Sequence, residues 1–217
     1  MADHFADFAL PDTDLTRKAL EYAEELETPA LVNHCVRSYL FGRAVGEGQG
    51  LRPGADYDDE LLFLACVLHD AGLSEPGDRD QRFEVDGADV AAAFLRGHGL
   101  ADDRIELVWQ AIALHTSVGI AHRLRPEIAL THLGAGADVV GDGVEAFPEG
   151  FADRVHAAFP RLLPDAGLAD AILDQALRNP RKAPLSSLAF ELLRKAEPDL
   201  SVPDFRETAA RAWHGVA

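Results

Sequence analysis

The strongest constraint on the fold is an uninterrupted apolar run from Leu61 to Leu68 that ends at His69 and Asp70. A segment that is apolar on every face predicts a helix buried on all sides. Ionisable side chains at the end of such a helix are costly unless they are paired, hydrogen-bonded or bound to a metal. Because His69 and Asp70 project in different directions, a shared ion would have to lie at the helix terminus. The alternative is a helix that simply ends in polar residues at the surface.

The rest of the chain predicts further helices and an all-α fold. Period-two alternation is scarce, whereas Ala- and Leu-rich segments with helix starts and stops dominate. Asp58, Asp102 and Ser186 are predicted N-caps. The 217 residues carry no internal repeat and no sign of a second independent domain, so residues 1–217 are interpreted as a single domain. Helices are predicted near residues 13–26, 30–47, 58–70, 85–98, 102–118, 126–141, 148–158, 166–177, 185–196 and 203–213.

Charge and composition restrict the partners. The chain has 37 acidic and 20 basic residues and a formal net charge of -17, so its overall field would repel a nucleic acid backbone. A small-molecule substrate is expected instead. The apolar runs are too short to cross a membrane and the start shows no secretory signal, so a cytoplasmic location is expected. Cys35 and Cys66 form no disulfide framework, and no pattern indicates the oligomeric state.

Two further positions carry metal-binding chemistry. His34 follows Asn33 early in the helix that precedes the apolar run. Asp138 lies on a later helix, with Gly134 and Ala135 one turn before it on the same face. Small residues there would let a neighbouring helix approach closely enough for the short aspartate side chain to reach a shared ion. A lone helical histidine is usually structural, so only the combination of these residues indicates a metal site.

The ordered set His34, His69-Asp70 and Asp138 on three separate helices resembles the HD superfamily of metal-dependent hydrolases. The resemblance covers residues 30–142 and implies an HD-type helical bundle, with residues 143–217 as additional C-terminal helices. It also implies that those four residues, His34, His69, Asp70 and Asp138, bind the metal. Within the superfamily the chain is most similar to the branch that contains cyanamide hydratase. That likeness rests on Asn33-His34, Cys66–Gly72, Phe83–Gly87 and Asp138–Gly141.

The segment Phe83–Gly87 predicts a single metal. Many two-metal relatives place a histidine just before the glycine of this segment, where this chain has Phe83 and Glu84. The mixed nitrogen and oxygen ligands suit one divalent transition metal, with zinc or iron expected first and manganese, nickel or cobalt also compatible. A second metal would lack an expected ligand, unless His115 supported it.

Several residues are candidates for catalysis or substrate binding. Glu84 and His115 are predicted to transfer protons, with Asp70 beside them as ligand and catalytic group. The alternatives are an exposed acid at a helix start for Glu84 and a hydrogen-bonded core histidine for His115. Arg37 and Arg82 could contact a substrate anion, although surface arginines are common. His132 is interpreted as structural and His98 as exposed.

The expected activity is attack of a metal-activated water on a small substrate. The resemblance to cyanamide hydratase implies hydration of cyanamide to urea. Hydrolysis of a nucleotide or small phosphate ester is an equal competitor from the wider superfamily. A two-iron oxygenase and a non-catalytic metal-binding protein are further alternatives.

Overall fold

The computed structural model describes residues 4–162 and 167–212, and it is all-α as predicted. An isolated bridge between Pro53 and Tyr57 is the nearest approach to a strand in these ranges. The described part contains eleven α-helices and four short 3-10 helices. The α-helices are His4–Asp7 (α1), Asp14–Leu26 (α2), Pro29–Gly48 (α3), Asp59–Leu68 (α4), Phe83–Gly97 (α5), Asp102–Leu114 (α6), Pro126–Val140 (α7), Phe151–Ala158 (α8), Gly167–Arg178 (α9), Leu188–Ala196 (α10) and Phe205–Ala212 (α11).

The ten predicted helices correspond to α2–α11, and the described ends lie within four residues of the predicted ones. Residues 166 and 213, the predicted ends of two helices, lie outside the described ranges. The N-cap at Asp58 is confirmed, since its side chain accepts the Leu61 backbone N–H at 3.1 Å. The N-cap at Asp102 is wrong, because Ala101 occupies the cap and Asp102 is already helical.

The predicted cap at Ser186 is also displaced by one residue. Ser187 accepts the backbone N–H of Phe190 at 3.1 Å and begins α10. Ser186 has a φ of 66°, in the left-handed region, whereas an N-cap residue has extended backbone geometry. The backbone turn therefore assigns the cap to the second serine.

Helix α4 is the centre of the bundle. All eight residues from Leu61 to Leu68 are buried, as the apolar run predicts. The helix packs against α2, α3, α6 and α7. Each buried Leu or Phe side chain contributes roughly 1.5–3 kcal/mol relative to its exposed state. The helix terminus, with His69 and Asp70, is thereby fixed deep inside the protein.

Helices α3 and α7 cross at a contact that only glycine permits. A Cβ atom added at Gly134 would collide with the backbone carbonyl of Ser38, and one at Gly42 would collide with that of Leu130. The prediction of a close helix approach before Asp138 is therefore confirmed. The two helices run antiparallel through this contact, so His34 near the start of α3 meets Asp138 near the end of α7.

The C-terminal helices α9 and α10 form a second apolar cluster against the start of α5. Phe83 packs there with Ile172, Ala176, Ala183, Ala189 and Leu193. The side-chain amide of Gln175 on α9 donates to the carbonyl of Gly72 at 2.9 Å. These contacts place α9 and α10 beside the end of α4.

A buried lysine fastens the same C-terminal segment. Lys182 is 2% exposed, and its Nζ lies 2.8 Å from both Asp78 and Asp86.

Cys35 and Cys66 are both buried free thiols. Among residues 4–162 and 167–212, no helix is long and apolar enough to cross a membrane.

Candidate metal centre

Three of the four predicted metal ligands converge at the end of α4. One donor atom from each of His34, His69 and Asp70 lies within 4.8 Å of the other two. Nε2 of His34 is 3.2 Å from Nε2 of His69, and Oδ2 of Asp70 is 3.5 Å from each of these nitrogens. The three groups are buried and point toward one another, as the ligands of a single ion do.

Hydrogen bonds on the outer side of each ring fix these orientations. Nδ1 of His69 donates to the carbonyl of Cys66 at 2.7 Å, on the last turn of α4. Nδ1 of His34 donates to Oδ2 of Asp138 at 2.6 Å. Metal-binding histidines almost always use their second nitrogen in this way. Both Nε2 atoms are therefore left to face the site.

The protonation states suit a divalent metal. Burial lowers the pKa of His69 to about 4, so the ring is neutral near pH 7. Burial alone would raise the pKa of Asp70, but the imidazoles of His69, His34 and His115 outweigh it and lower that pKa. Asp70 Oδ2 is buried and has no hydrogen-bond partner among the described residues. A buried carboxylate oxygen without a partner is costly, and a bound cation would satisfy it.

Glycines bring the segment that carries His69 and Asp70 against the start of α5. Gly72 lies in the 3-10 helix Ala71–Leu73, and a Cβ there would collide with the carbonyl of Phe83. A Cβ at Gly87 would lie 2.8 Å from the backbone nitrogen of Gly72. The segments Cys66–Gly72 and Phe83–Gly87, on which the resemblance rests, thus form one tightly packed unit behind the site.

Asp138 lies next to the cluster, on the Nδ1 side of His34. Its carboxylate accepts Nε of Arg37 at 2.7 Å and Nη2 of Arg37 at 2.8 Å. Arg161 donates to the backbone carbonyl of Asp138. Burial would raise the pKa of Asp138, but hydrogen bonds from His34 and Arg37 hold it well below its usual value. Asp138 thus orients His34, and its predicted direct bond to the metal stays a prediction.

Arg37 is buried and occupied by protein groups. Besides the two bonds to Asp138, Nη1 donates to the carbonyl of Phe159 at 2.9 Å. Arg37 is 3% exposed and does not line the cavity above the site. The structure therefore argues against the predicted contact between Arg37 and a substrate anion.

Glu84 is fully buried, so the alternative of an exposed acid at a helix start is wrong. It accepts Nη2 of Arg82 at 2.7 Å and the hydroxyl of Thr116. Burial would raise its pKa, but the bonds from Arg82 and Thr116 and the nearby His115 lower it. Glu84 is thus an ionised partner of Arg82, and neither residue is among those that line the cavity.

His115 is both buried and part of the site. Its Nδ1 donates to the carbonyl of Ile112 at 2.7 Å, which leaves Nε2 free to face inward. Nε2 lies 3.9 Å from Oδ1 of Asp70. The ring also packs edge-on against His69, with centroids 4.7 Å apart. His115 therefore meets the geometric requirement for a group that accepts a proton beside the metal site.

A cavity of about 230 Å³ opens directly onto this cluster. Its polar lining residues are His34, His69, Asp70, His115, Thr116 and His132, and the other described lining residues are apolar. No Lys or Arg from the described residues lines it. The cavity therefore combines a metal-binding cluster with a largely apolar lining.

Several residues that line the cavity carry no signal in the sequence. His132, interpreted as structural, donates from Nδ1 to the carbonyl of His115 at 2.7 Å, yet its ring also lines the cavity. Leu168, Ile172 and Leu188 reach the cavity from the C-terminal helices. Their apolar character signals only burial, so no residue pattern could have assigned them to the site.

Comparison with known proteins agrees with this geometry. The HD domain family matches residues 31–142, which is more than half of the chain, and the chain belongs to that family. Two relatives from Saccharomyces cerevisiae (strain ATCC 204508 / S288c) are cyanamide hydratase DDI2 and cyanamide hydratase DDI3. Each is 24% identical over 155 residues, which cover 70% of this chain and 68% of the relative. These similarities support the cyanamide hydratase-like branch of the superfamily.

The family match makes the chain an HD-type, metal-dependent hydrolase with a divalent metal site. The cluster of His34, His69 and Asp70 supplies the donors.

Proposed function

We propose that this protein adds water to a carbon–nitrogen triple bond in a small uncharged substrate, as in the hydration of cyanamide to urea. The observation that carries the proposal is that the His34–His69–Asp70 cluster lines a largely apolar cavity. The similarity to two cyanamide hydratases supports the reaction class.

The charge distribution favours an uncharged substrate over a phosphate ester. Sites that bind phosphate supply Arg, Lys or several N–H donors, and the described cavity wall contains no Arg or Lys. The nearby arginines already have protein partners, since Arg82 pairs with Glu84 and both Arg37 and Arg161 contact Asp138. The net charge of -17 further disfavours an anionic substrate.

The proposed cofactor is one divalent transition metal, zinc or iron, held by His34, His69 and Asp70. Asp138 supports the site through His34 and is retained as the predicted fourth ligand. A bound ion of this kind lowers the pKa of a water ligand and polarises the substrate.

His115 is the proposed proton-transfer residue. Because Nδ1 of His115 donates to the Ile112 carbonyl, Nε2 is the acceptor in the neutral ring. In the overall reaction, the water oxygen becomes the carbonyl oxygen of the product: a carbon–oxygen double bond forms, both carbon–nitrogen π bonds and both O–H bonds break, and the two protons end on the former nitrile nitrogen. His115 accepts a proton from the water and delivers it to that nitrogen.

Glu84 fits a positioning role better than proton transfer. It does not line the cavity, and its oxygens are bound to Arg82 and Thr116. We propose that Glu84 holds Thr116, which does line the cavity, in place.

The proposed function is tested by assaying metal-loaded protein against cyanamide, simple nitriles, nucleotides and p-nitrophenyl phosphate. We expect turnover of carbon–nitrogen triple bonds and none of the phosphate esters, with activity lost in His69→Ala. Hydrolysis of a phosphate ester without any hydration would overturn the proposal. Two irons per chain with consumption of oxygen would indicate an oxygenase instead.

A further inference from the structure

We infer that the preferred substrate carries an apolar substituent on its cyanamide or nitrile group, and that the apolar wall of the cavity selects it. The inference rests on the proposed function and names the substrate class more closely. It predicts N-alkyl cyanamides and alkyl nitriles as better substrates than cyanamide itself.

The size of the cavity is the first argument. Cyanamide has three non-hydrogen atoms and would occupy roughly 90 Å³, at the ~30 Å³ per atom that water takes in the liquid. The cavity measures about 230 Å³. Several further atoms could therefore occupy the remaining space beside a substrate whose triple bond lies at the metal cluster.

The chemistry of the wall is the second argument. Besides the polar cluster, the cavity is lined by Val118, Val139, Val140, Leu168, Ile172 and Leu188, together with Phe83, Ala135 and Gly136. The valine, leucine and isoleucine side chains come from four separate segments, namely the loop after α6, the end of α7, and helices α9 and α10. The lining thus combines a polar cluster with many apolar side chains, which suits a ligand with one polar and one apolar end.

The exposure of these side chains is the third argument. Val118 is 84% exposed and Val140 is 76% exposed, although both are apolar and adjoin the site. Val139 and Leu188 are also exposed, at 50% and 41%. A contiguous exposed apolar surface is a recognised feature of binding sites. Because this surface is continuous with the cavity that contains the cluster, the substrate's own substituent is the occupant it fits.

Gly136 offers a way to fill this space. It lies on α7 and lines the cavity, and a Cβ added there would meet no atom within 4 Å. A leucine at this position would therefore take up cavity volume without colliding with the backbone. Gly97 at the end of α5 is a matched control, since a Cβ there also meets nothing and the residue lies outside the cavity.

The test compares kcat/KM for cyanamide with that for N-methyl, N-propyl and N-butyl cyanamide. We expect kcat/KM to rise about fourfold for each added methylene, the gain that burial of one CH₂ provides. Gly136→Leu should lower the ratio of N-butyl cyanamide to cyanamide at least tenfold, while Gly97→Leu leaves it unchanged. Calorimetry with the product N-butylurea gives a second readout, with tighter binding than urea and loss of that advantage in Gly136→Leu.

The outcomes distinguish the alkyl preference from the proposed hydration activity. Turnover of cyanamide with a flat or falling alkyl series overturns the inference and leaves the proposed function standing. Absence of turnover with every carbon–nitrogen triple bond overturns both. If a second copy of the chain covers the valines instead, Val140→Ser will change the mass in solution and leave the alkyl preference unchanged, which also overturns the inference.

Discussion

Nδ1 of His34 lies 2.6 Å from Oδ2 of Asp138, and this contact directs Nε2 of His34 toward His69 and Asp70. Arg37 binds both oxygens of the same aspartate. The metal cluster is thus supported from outside by a buried ion pair between two helices. Asp138 has this supporting role in addition to its predicted role as a ligand.

Replacement of Arg37 tests how much its ion pair with Asp138 contributes to the stability of the protein. In Arg37→Met, the buried carboxylate of Asp138 loses its principal cationic partner, and we expect the free energy of unfolding to fall by about 3 kcal/mol. Urea denaturation measures the change. Arg104→Met is the control, because Arg104 pairs with the partly exposed Asp58 and Glu60 and should cost no more than about 1 kcal/mol. Equal stability of Arg37→Met and the wild type would contradict the assigned role.

Two amide substitutions distinguish the proposed roles of His115 and Glu84. His115→Gln should keep the metal and lower kcat about 100-fold, because it removes the proposed proton acceptor. Glu84→Gln should also keep the metal and lower kcat less than about tenfold, since an amide can still bond Thr116. Metal analysis and steady-state kinetics on both variants check this. A severe loss in Glu84→Gln beside a mild one in His115→Gln would reverse the two assignments.

Lys182 is expected to hold the C-terminal helices against the site. In Lys182→Met the buried Asp86 loses a charge partner, although it keeps backbone N–H bonds from Arg79 and Gln81. We expect a loss of about 3 kcal/mol in the free energy of unfolding. Arg178→Ala removes an exposed partner of Asp78 and should cost less than about 1 kcal/mol. Similar costs for the two variants would refute a special role for Lys182.

The ion pair between Lys182 and Asp78 predicts a dependence of stability on pH. Partial burial raises the pKa of Asp78, but the bonds from Lys182 and Arg178 outweigh it and leave the pKa lowered. A carboxyl group whose pKa is lower in the folded state stabilises the protein above its unfolded pKa, and that contribution is lost as the pH falls. The stability difference between wild type and Lys182→Met should therefore shrink below about pH 4. A difference that grows on acidification would contradict this assignment.

Two glycines on α7 test the helix contact. Gly134→Ala places a Cβ against the Ser38 carbonyl and should lower the melting temperature, because α3 and α7 are forced apart. Gly136→Ala meets no atom within 4 Å and should stabilise the helix by up to about 1 kcal/mol. Thermal unfolding followed by circular dichroism distinguishes them. The account of this contact fails if Gly134→Ala melts no lower than Gly136→Ala.

The helical fold was readable from the sequence because its signals are local. The apolar run Leu61–Leu68 predicts the central helix, and the small residue Gly134 predicts the close crossing that brings His34 to Asp138. The cap at Ser186 was assigned wrongly, since two adjacent serines offer the same side chain and only the backbone conformation distinguishes them.

The residues that line the cavity could not be predicted from the sequence, because the lining depends on contacts between distant segments. Leu188 and Ile172 reach the site only through the packing of α9 and α10 on Phe83. Arginine is a residue type that often binds substrate anions, and only the structure shows that Arg37 already pairs with Asp138. The sequence therefore identifies the metal-binding chemistry better than the surroundings that select a substrate.

The metal content of the purified, metal-loaded protein tests the central claim most directly. Elemental analysis should give about one divalent transition metal per chain in the wild type and almost none in His69→Ala and Asp70→Ala. His98→Ala serves as the control, because His98 is exposed and bonds only the nearby Phe94 carbonyl in the described structure. Full metal content in either ligand variant, or none in the wild type, would contradict the account.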